Sequence, residues 1–250
     1  MNPAASQVVP LGTRIDEYCD RVGNDVRARM ARLQDFSEDR LERIMFEGWQ
    51  VSVHNPPILF AAAESARQLG EPGVYVELMR NYREEETHSE LYRRGLLEIG
   101  SDVSRRTPWA PSDTLFACVN RLIAAGPSQM LGSMYASEAV ALFESDLLMA
   151  VAAETIRRRN AQEKGRRLIA FHAMHLGGVE QGHKKRTRRI LGTAAGRIRP
   201  ADRSAEGLGR RHGDDRCHRR VVECAAGSGR AREGRASRAL IVRALAWLET

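Results

Sequence analysis

The 250-residue sequence has no apolar run long enough to span a bilayer; LLMAVAA at 147–153 is typical of its longest. A transmembrane helix needs about 20 such residues, so none is expected. The N-terminus MNPAASQVVPLGTR has no basic segment followed by an apolar core, so no secretory signal is expected. The four cysteines, Cys19, Cys118, Cys217 and Cys224, follow no disulfide framework. Together these absences point to a reduced, cytoplasmic protein. No alternating strand pattern bounded by turns occurs, and no internal repeat at a fixed period. Composition excludes collagen-like and wholly disordered classes, because 42% of residues are hydrophobic and 28% charged.

Nor does the main body carry an excess of charge of either sign. The net charge of +7 resides almost entirely in residues 197–250, which hold 13 Arg, no Lys and 7 acidic residues. The remainder has 26 basic and 25 acidic residues. A basic tail can serve nucleic acid or anionic lipid. This one is Arg/Gly/Ala-rich and irregular, with a helical pattern only at 236–249, and reads as an appendage. His212, Cys217, His218 and Cys224 fit no standard zinc-finger spacing.

What is present is helix. Pro and Gly cluster at a few breaks and leave long periodic segments between them. The pattern predicts a loose arm over 1–11 and a single all-α domain of about seven helices over 12–195, followed by the 196–250 tail. Helices are expected at 13–33, at 38–53 with Ser37 as cap, and at 58–69 after a break at Asn55-Pro56-Pro57. Further helices are expected at about 74–99, 112–125, 129–158 and 162–191.

Three of these segments carry chemistry. In NYREEETHSELYRR (81–94), successive helical residues turn by roughly 100°, which places Glu85 near the apolar stripe, His88 on its flank and Glu84 nearly opposite. In LGSMYASEAVALFESDLLM (131–149), Glu138 sits amid an apolar face, where a carboxylate must be paired, protonated or bound to a cation. In AFHAMHLGGVEQGHKKR (170–186), His172, His175, Glu180 and His183 share one helix, with Gly177-Gly178 between them. His175 and Glu180 are spread by roughly 140° on a regular helix, and a local bulge at the glycine pair would narrow that. Two Glu-x-x-His pairs and a buried Glu projecting inward from separate helices form the ligand chemistry of non-heme di-iron and di-manganese sites. A further carboxylate would complete such a site; Glu47 and Glu64 are candidates, with His54 beside the proline pair as another.

These stretches resemble the heme-oxygenase-like di-iron oxidase and oxygenase family, whose helical fold is shared with thiaminase-type and pyrroloquinoline-quinone-synthase-type proteins. NYREEETHSELYRRGLLEIG (81–100) is similar to the family's Asn-Leu-x-x-Glu stretch followed by His and a Leu-Gly end. LGSMYASE (131–138) looks like its central metal-binding helix, and FHAMHLGGVEQGH (171–183) resembles its Phe-Phe-x-x-His-x-x-x-Asp-x-x-His signature. His172 stands in place of the second Phe, Glu180 in place of Asp, and one extra residue separates His175 from Glu180.

The resemblance implies a heme-oxygenase-like bundle. It implies Glu85, His88, Glu138, His175, Glu180 and His183 as ligands of two Fe(II) ions per chain, with His172 as the substitute for His175. It further implies a dioxygen-dependent oxidoreductase acting on a small amine, amino acid or fatty acid, by N-oxygenation or oxidative C–C cleavage, in a biosynthetic pathway. Tyr82 and Tyr135 are candidates for catalytic positions beside the metals by helical phase. The expected partners are the small-molecule substrate and dioxygen, with a second copy of the chain as a homodimer partner, and neither a membrane nor nucleic acid. The rival reading is a non-catalytic or degenerate binding protein of the same fold.

Overall fold

The computed structural model describes residues 11–197, with side chains left undescribed at 11, 111, 127–128, 179–180 and 191–197. The expectations for the arm over 1–10, the tail beyond 197 and its Cys217 and Cys224 therefore lie outside the described residues. Among those described there are helices and no strand, as the periodicity predicts. We number the helices α1 (Leu11–Met30), α2 (Glu38–Gln68), α3 (Pro72–Glu85), α4 (His88–Glu98), α5 (Ala110–Ala125), α6 (Pro127–Arg158), α7 (Arg166–Met174) and α8 (Glu180–Arg197). Because α7 and α8 are one rod bent at residues 175–179, the count agrees with the expected seven. No described helix is long and apolar enough to cross a membrane.

The local signals explain most boundaries. Ser37 accepts a hydrogen bond from the Arg40 amide at 3.2 Å and caps α2, as expected. Proline occupies the first turn of α3, α5 and α6, where a missing N–H costs nothing. Two expectations are corrected. The Asn55-Pro56-Pro57 sequence does not end a helix; α2 runs through it for 31 residues. Each internal proline forfeits a backbone hydrogen bond at a cost of about 3 kcal/mol. The loss is offset because Ile58, Leu59, Ala62, Ala63 and Ala66 are buried on the continuing helix. Conversely, the single helix expected over 74–99 is two, with a turn at Glu86 and Thr87.

α6 forms the centre of the bundle and packs on α1, α2, α5, α7 and α8. α2 packs on α3, α4, α5 and α6, while α4 lies on α7 and α3 on α8. The core is one cluster, with Tyr92, Tyr135, Phe46 and Leu147 among its fully buried side chains. The end of α6 is tied down by arginine. Arg158 donates to the carbonyls of Leu33, Gln34 and Phe36 at 2.6–3.1 Å. Arg159 bonds Glu42, Glu38 at 2.5 Å, the Ile99 carbonyl at 2.9 Å and the Ser101 hydroxyl at 2.8 Å.

Burial alone would raise the pKa of Glu42, but hydrogen bonds from Arg159 and Arg106 outweigh it and hold the carboxyl below its ordinary 4.5. A depressed carboxylate pKa adds stability above the unfolded value, and that stability is lost as pH falls through the folded value. Stability should therefore decline as pH drops below about 4.5. Arg159→Met should cost about 1–3 kcal/mol at neutral pH and flatten that acid limb. Urea unfolding at pH 7 and in steps below pH 4.5 reads both effects; an unchanged acid limb in the variant would refute the assignment.

Candidate metal centre

The turn at Glu86 and Thr87 places the end of α3 and the start of α4 beside the bend between α7 and α8. Glu85 and His88 are both 7% exposed, and Glu85 Oε2 lies 2.9 Å from His88 Nδ1. His175 Nε2 lies 3.3 Å from the same His88 nitrogen. Among the described residues, these three ligand atoms form the one group that converges within 4.8 Å.

Its hydrogen bonding suits a cation. His175 Nδ1 lies 2.9 Å from the Phe171 carbonyl, which can only accept, so Nδ1 carries the proton and Nε2 presents its lone pair inward. A single proton on His88 Nδ1 can serve Glu85 or His175 but not both. A metal ion with ligand bonds near 2.1 Å separates adjacent donors by about 3 Å, close to the spacings found. A backbone carbonyl behind a ligating imidazole is also the usual orienting contact. Burial would raise the Glu85 pKa, but hydrogen bonds and charge from His88, then His175, and a hydrogen bond from Asn55 hold it below the usual carboxylate range. Glu85 thus stays ionised where a metal would need it.

Glu138 and His183 form a second cluster on the same cavity. His183 Nδ1 is 3.6 Å from Glu138 Oε2, and Asn81 donates to Glu138 Oε1 at 3.1 Å. His183 Nε2 is 2.6 Å from Glu84 Oε2, so the imidazole bridges two carboxylates, one at each nitrogen. Glu84 was expected to point away. The stripe that oriented it mixes two helices; α3 by itself buries Val74, Leu78, Asn81 and Glu85, Glu84 flanks that face, and α8 packs on α3 where the contact is made. Glu180 opens α8, but its side chain lies outside the described residues.

The bulge expected at the glycine pair is present. Residues 175–179 depart from regular helix, and Gly178 has φ +98°, a conformation costly to any residue with a Cβ. This bend carries His175 to the first cluster and His183 to the second.

Other expectations are corrected. His172 does not substitute for His175: it is 2% exposed, packs edge-on against Tyr92, and is outside the converging group. Tyr135 does not face the candidate ligands, because its hydroxyl donates to Asp16 at 2.8 Å, toward α1. Tyr82 packs on Phe60 and bonds Glu86 at 3.4 Å on the outside. Neither tyrosine lines the cavity. Among the extra-ligand candidates, Glu47 is buried against Ser112 and Arg43, Glu64 pairs with Arg67, and His54 stacks on Phe116; none lines the cavity.

The cavity has a volume of about 130 Å³. Glu85, Glu138, His175 and His183 occupy its wall, which is otherwise largely apolar and includes Ile58, Leu115, Phe116 and Met134. Sequence reasoning missed Asn55, Asn81, Tyr92 and Glu144, which also line it. Asn81 stands one helical turn before Glu85, a signal that was available. Asn55 was hidden by the helix break expected at its own position.

No family model matches the chain, and no curated protein matches it. Solved structures do. A TenA homolog from Pseudomonas syringae pv. tomato str. DC3000 is 14% identical with a TM-score of 0.66, covering 100% of this chain and 98% of that one. A CADD-like protein of unknown function from Nostoc punctiforme PCC 73102 is 19% identical with a TM-score of 0.63, covering 95% and 96%. A second structure of that protein is 16% identical with a TM-score of 0.51, covering 77% and 97%. At these identities the likeness establishes the fold: the all-helical bundle of TenA-like and CADD-like proteins, the architecture predicted from the sequence.

Proposed function

We propose that the protein is a non-heme di-iron oxidoreductase that uses dioxygen on a small amine, amino acid or fatty acid. The observation that carries this reading is the convergence of Glu85, His88 and His175, with His175 fixed by the Phe171 carbonyl in the tautomer that a metal requires. Glu85, His88 and His175 would hold one iron. Glu138 and His183 would hold the other. When bound, the two Fe(II) ions supply the electrons and charge stabilisation that dioxygen activation requires.

The chain supplies the rest. Glu85 is kept anionic by its imidazole neighbours, which favours cation binding over a proton. Asn81 holds Glu138 in place through one oxygen and leaves the other for His183. The apolar walls exclude water and give an alkyl or aryl substrate its binding surface. Glu84 has a separate role. Its contact at His183 Nε2 orients the ring with Nδ1 toward Glu138, as an outer carboxylate does behind a ligating histidine.

Anaerobic titration of the full chain with Fe(II), followed by exposure to oxygen under stopped-flow absorption, tests the reading. Two irons per chain and a transient visible band are expected. A folded protein that binds no iron would overturn the proposal and leave a helical binding protein as its successor.

A further inference from the structure

Three buried polar atoms on the cavity wall have no protein partner among the described residues: Asn81 Oδ1, whose amide nitrogen already donates to Glu138, and one atom each on Tyr92 and His172. The Tyr92 hydroxyl belongs to a side chain that is 0% exposed, and His172 Nε2 to one that is 2% exposed. Both residues line the cavity, and their rings meet edge to face with centroids 4.9 Å apart. An unsatisfied buried donor or acceptor is costly, and native structures keep only a few of them.

The pair has a defined place relative to the candidate metal ligands. Tyr92 follows His88 by four residues on α4, and His172 precedes His175 by three. Both are thus about one helical turn, roughly 5 Å, from the Glu85–His88–His175 cluster. Phe171 stands between the two groups, stacked on Tyr92 and in contact with the rings of His88 and His175.

We infer that Tyr92 and His172 form a hydrogen-bonding subsite that holds an uncharged polar group, of the hydroxyl class, on a substrate the size of a single ring. Size follows from the cavity: about 130 Å³ is close to the roughly 150 Å³ that accommodates one benzene in an engineered apolar cavity. Charge follows from the walls. No Lys or Arg is among the described residues lining the cavity, while Glu144 lines it and acts on the Tyr92 hydroxyl. An anionic group at this end would meet a carboxylate and no counter-charge. Both subsite groups stay neutral. Burial and then Glu144 raise the Tyr92 pKa, and burial and then His175 push His172 down to about 3. The tyrosine hydroxyl therefore donates, and the imidazole completes the pairing with a ligand hydroxyl that both gives and accepts.

The subsite rests on the oxidase reading for the fate of the bound molecule, but not for its binding. Calorimetric titration of the metal-free full chain with phenol, toluene and benzoate tests it. Phenol is expected to bind about tenfold more tightly than toluene, and benzoate more weakly than phenol. Tyr92→Phe and His172→Phe should each lower the phenol-to-toluene ratio by about threefold and leave toluene binding intact. A ratio near one in the wild-type protein, a ratio unchanged in both variants, or benzoate binding as tightly as phenol would overturn the subsite. Selective phenol binding by protein that takes up no iron would uphold the subsite and overturn the oxidase reading alone.

Discussion

His175→Ala is expected to weaken iron binding at the first site by roughly 100-fold or more, since even a hydrogen bond behind a ligand is worth roughly 10–100-fold in metal affinity. The side chain contributes one of three converging donors, and no other described residue joins that group. His172 is one turn away and directed at Tyr92. The remaining Glu85–His88 pair would close into an ordinary ion-paired contact at 2.9 Å, which retains no open donor set. Folding should survive, because His175 is only half-buried and its bond to Phe171 is local to one helix. His172→Ala supplies the contrast: it should leave iron stoichiometry unchanged, because that ring is outside the converging group. Anaerobic Fe(II) titration with a competing chelator measures both variants. Wild-type affinity in His175→Ala, or loss of iron in His172→Ala, would show that the ligand assignment is mistaken.

The second large effect concerns a residue with no functional group. A Cβ placed on Gly95 would lie 3.1 Å from Cα and Cβ of Leu168 and 3.2 Å from its amide nitrogen. α4 therefore touches the α7 backbone directly, and that close approach sets the spacing of His88 and His175 across the same pair of helices. Gly95→Leu should force the helices apart. Overpacking of this kind costs about 1–3 kcal/mol. For a chain of this length that is a fall of roughly 2–12 °C in Tm. The separation should also pull His88 from His175 and lower iron affinity at the first site. Gly95→Ala requires a shift of only a few tenths of an ångström, and about 1 kcal/mol of improved helix propensity offsets its cost. Its stability should be close to wild type. Thermal unfolding together with iron titration separates these outcomes. Full iron affinity in a folded Gly95→Leu protein would refute the idea that this contact gauges the metal centre.

The fold was legible because its determinants are local. Ser37, the prolines at helix starts and the 3.6-residue periodicity act within a few residues of themselves. The bulge at Gly177-Gly178 was legible for the same reason. Two glycines in mid-helix are costly unless a bend requires them, and Gly178 at φ +98° is the residue that does. Where local signals misled, long-range packing had reversed them. Pro56 and Pro57 penalise α2 locally, but the apolar residues beyond them are buried by other helices. In the opposite sense, the helix-favouring glutamates at 84–86 gave no warning of the turn that separates α3 from α4.

The candidate site divides along the same line. Residue types and spacing alone marked the side chains that could ligate a metal: two Glu-x-x-His pairs and a glutamate in an apolar stripe offer hard oxygen and borderline nitrogen donors, whatever the packing. Which of those donors meet was decided only by the tertiary structure. A helical wheel describes direction around one axis and says nothing of the neighbouring axis. Packing of α4 on α7 brought His175 rather than His172 to His88. Packing of α3 on α8 brought Glu84, from a face that looked solvated, onto His183. Tyr135, in phase with Glu138 on the wheel, was turned instead to Asp16 on α1. Identity and spacing are properties of the chain, but convergence within 4.8 Å depends on distances between helices far apart in sequence, and those are fixed only when the core closes.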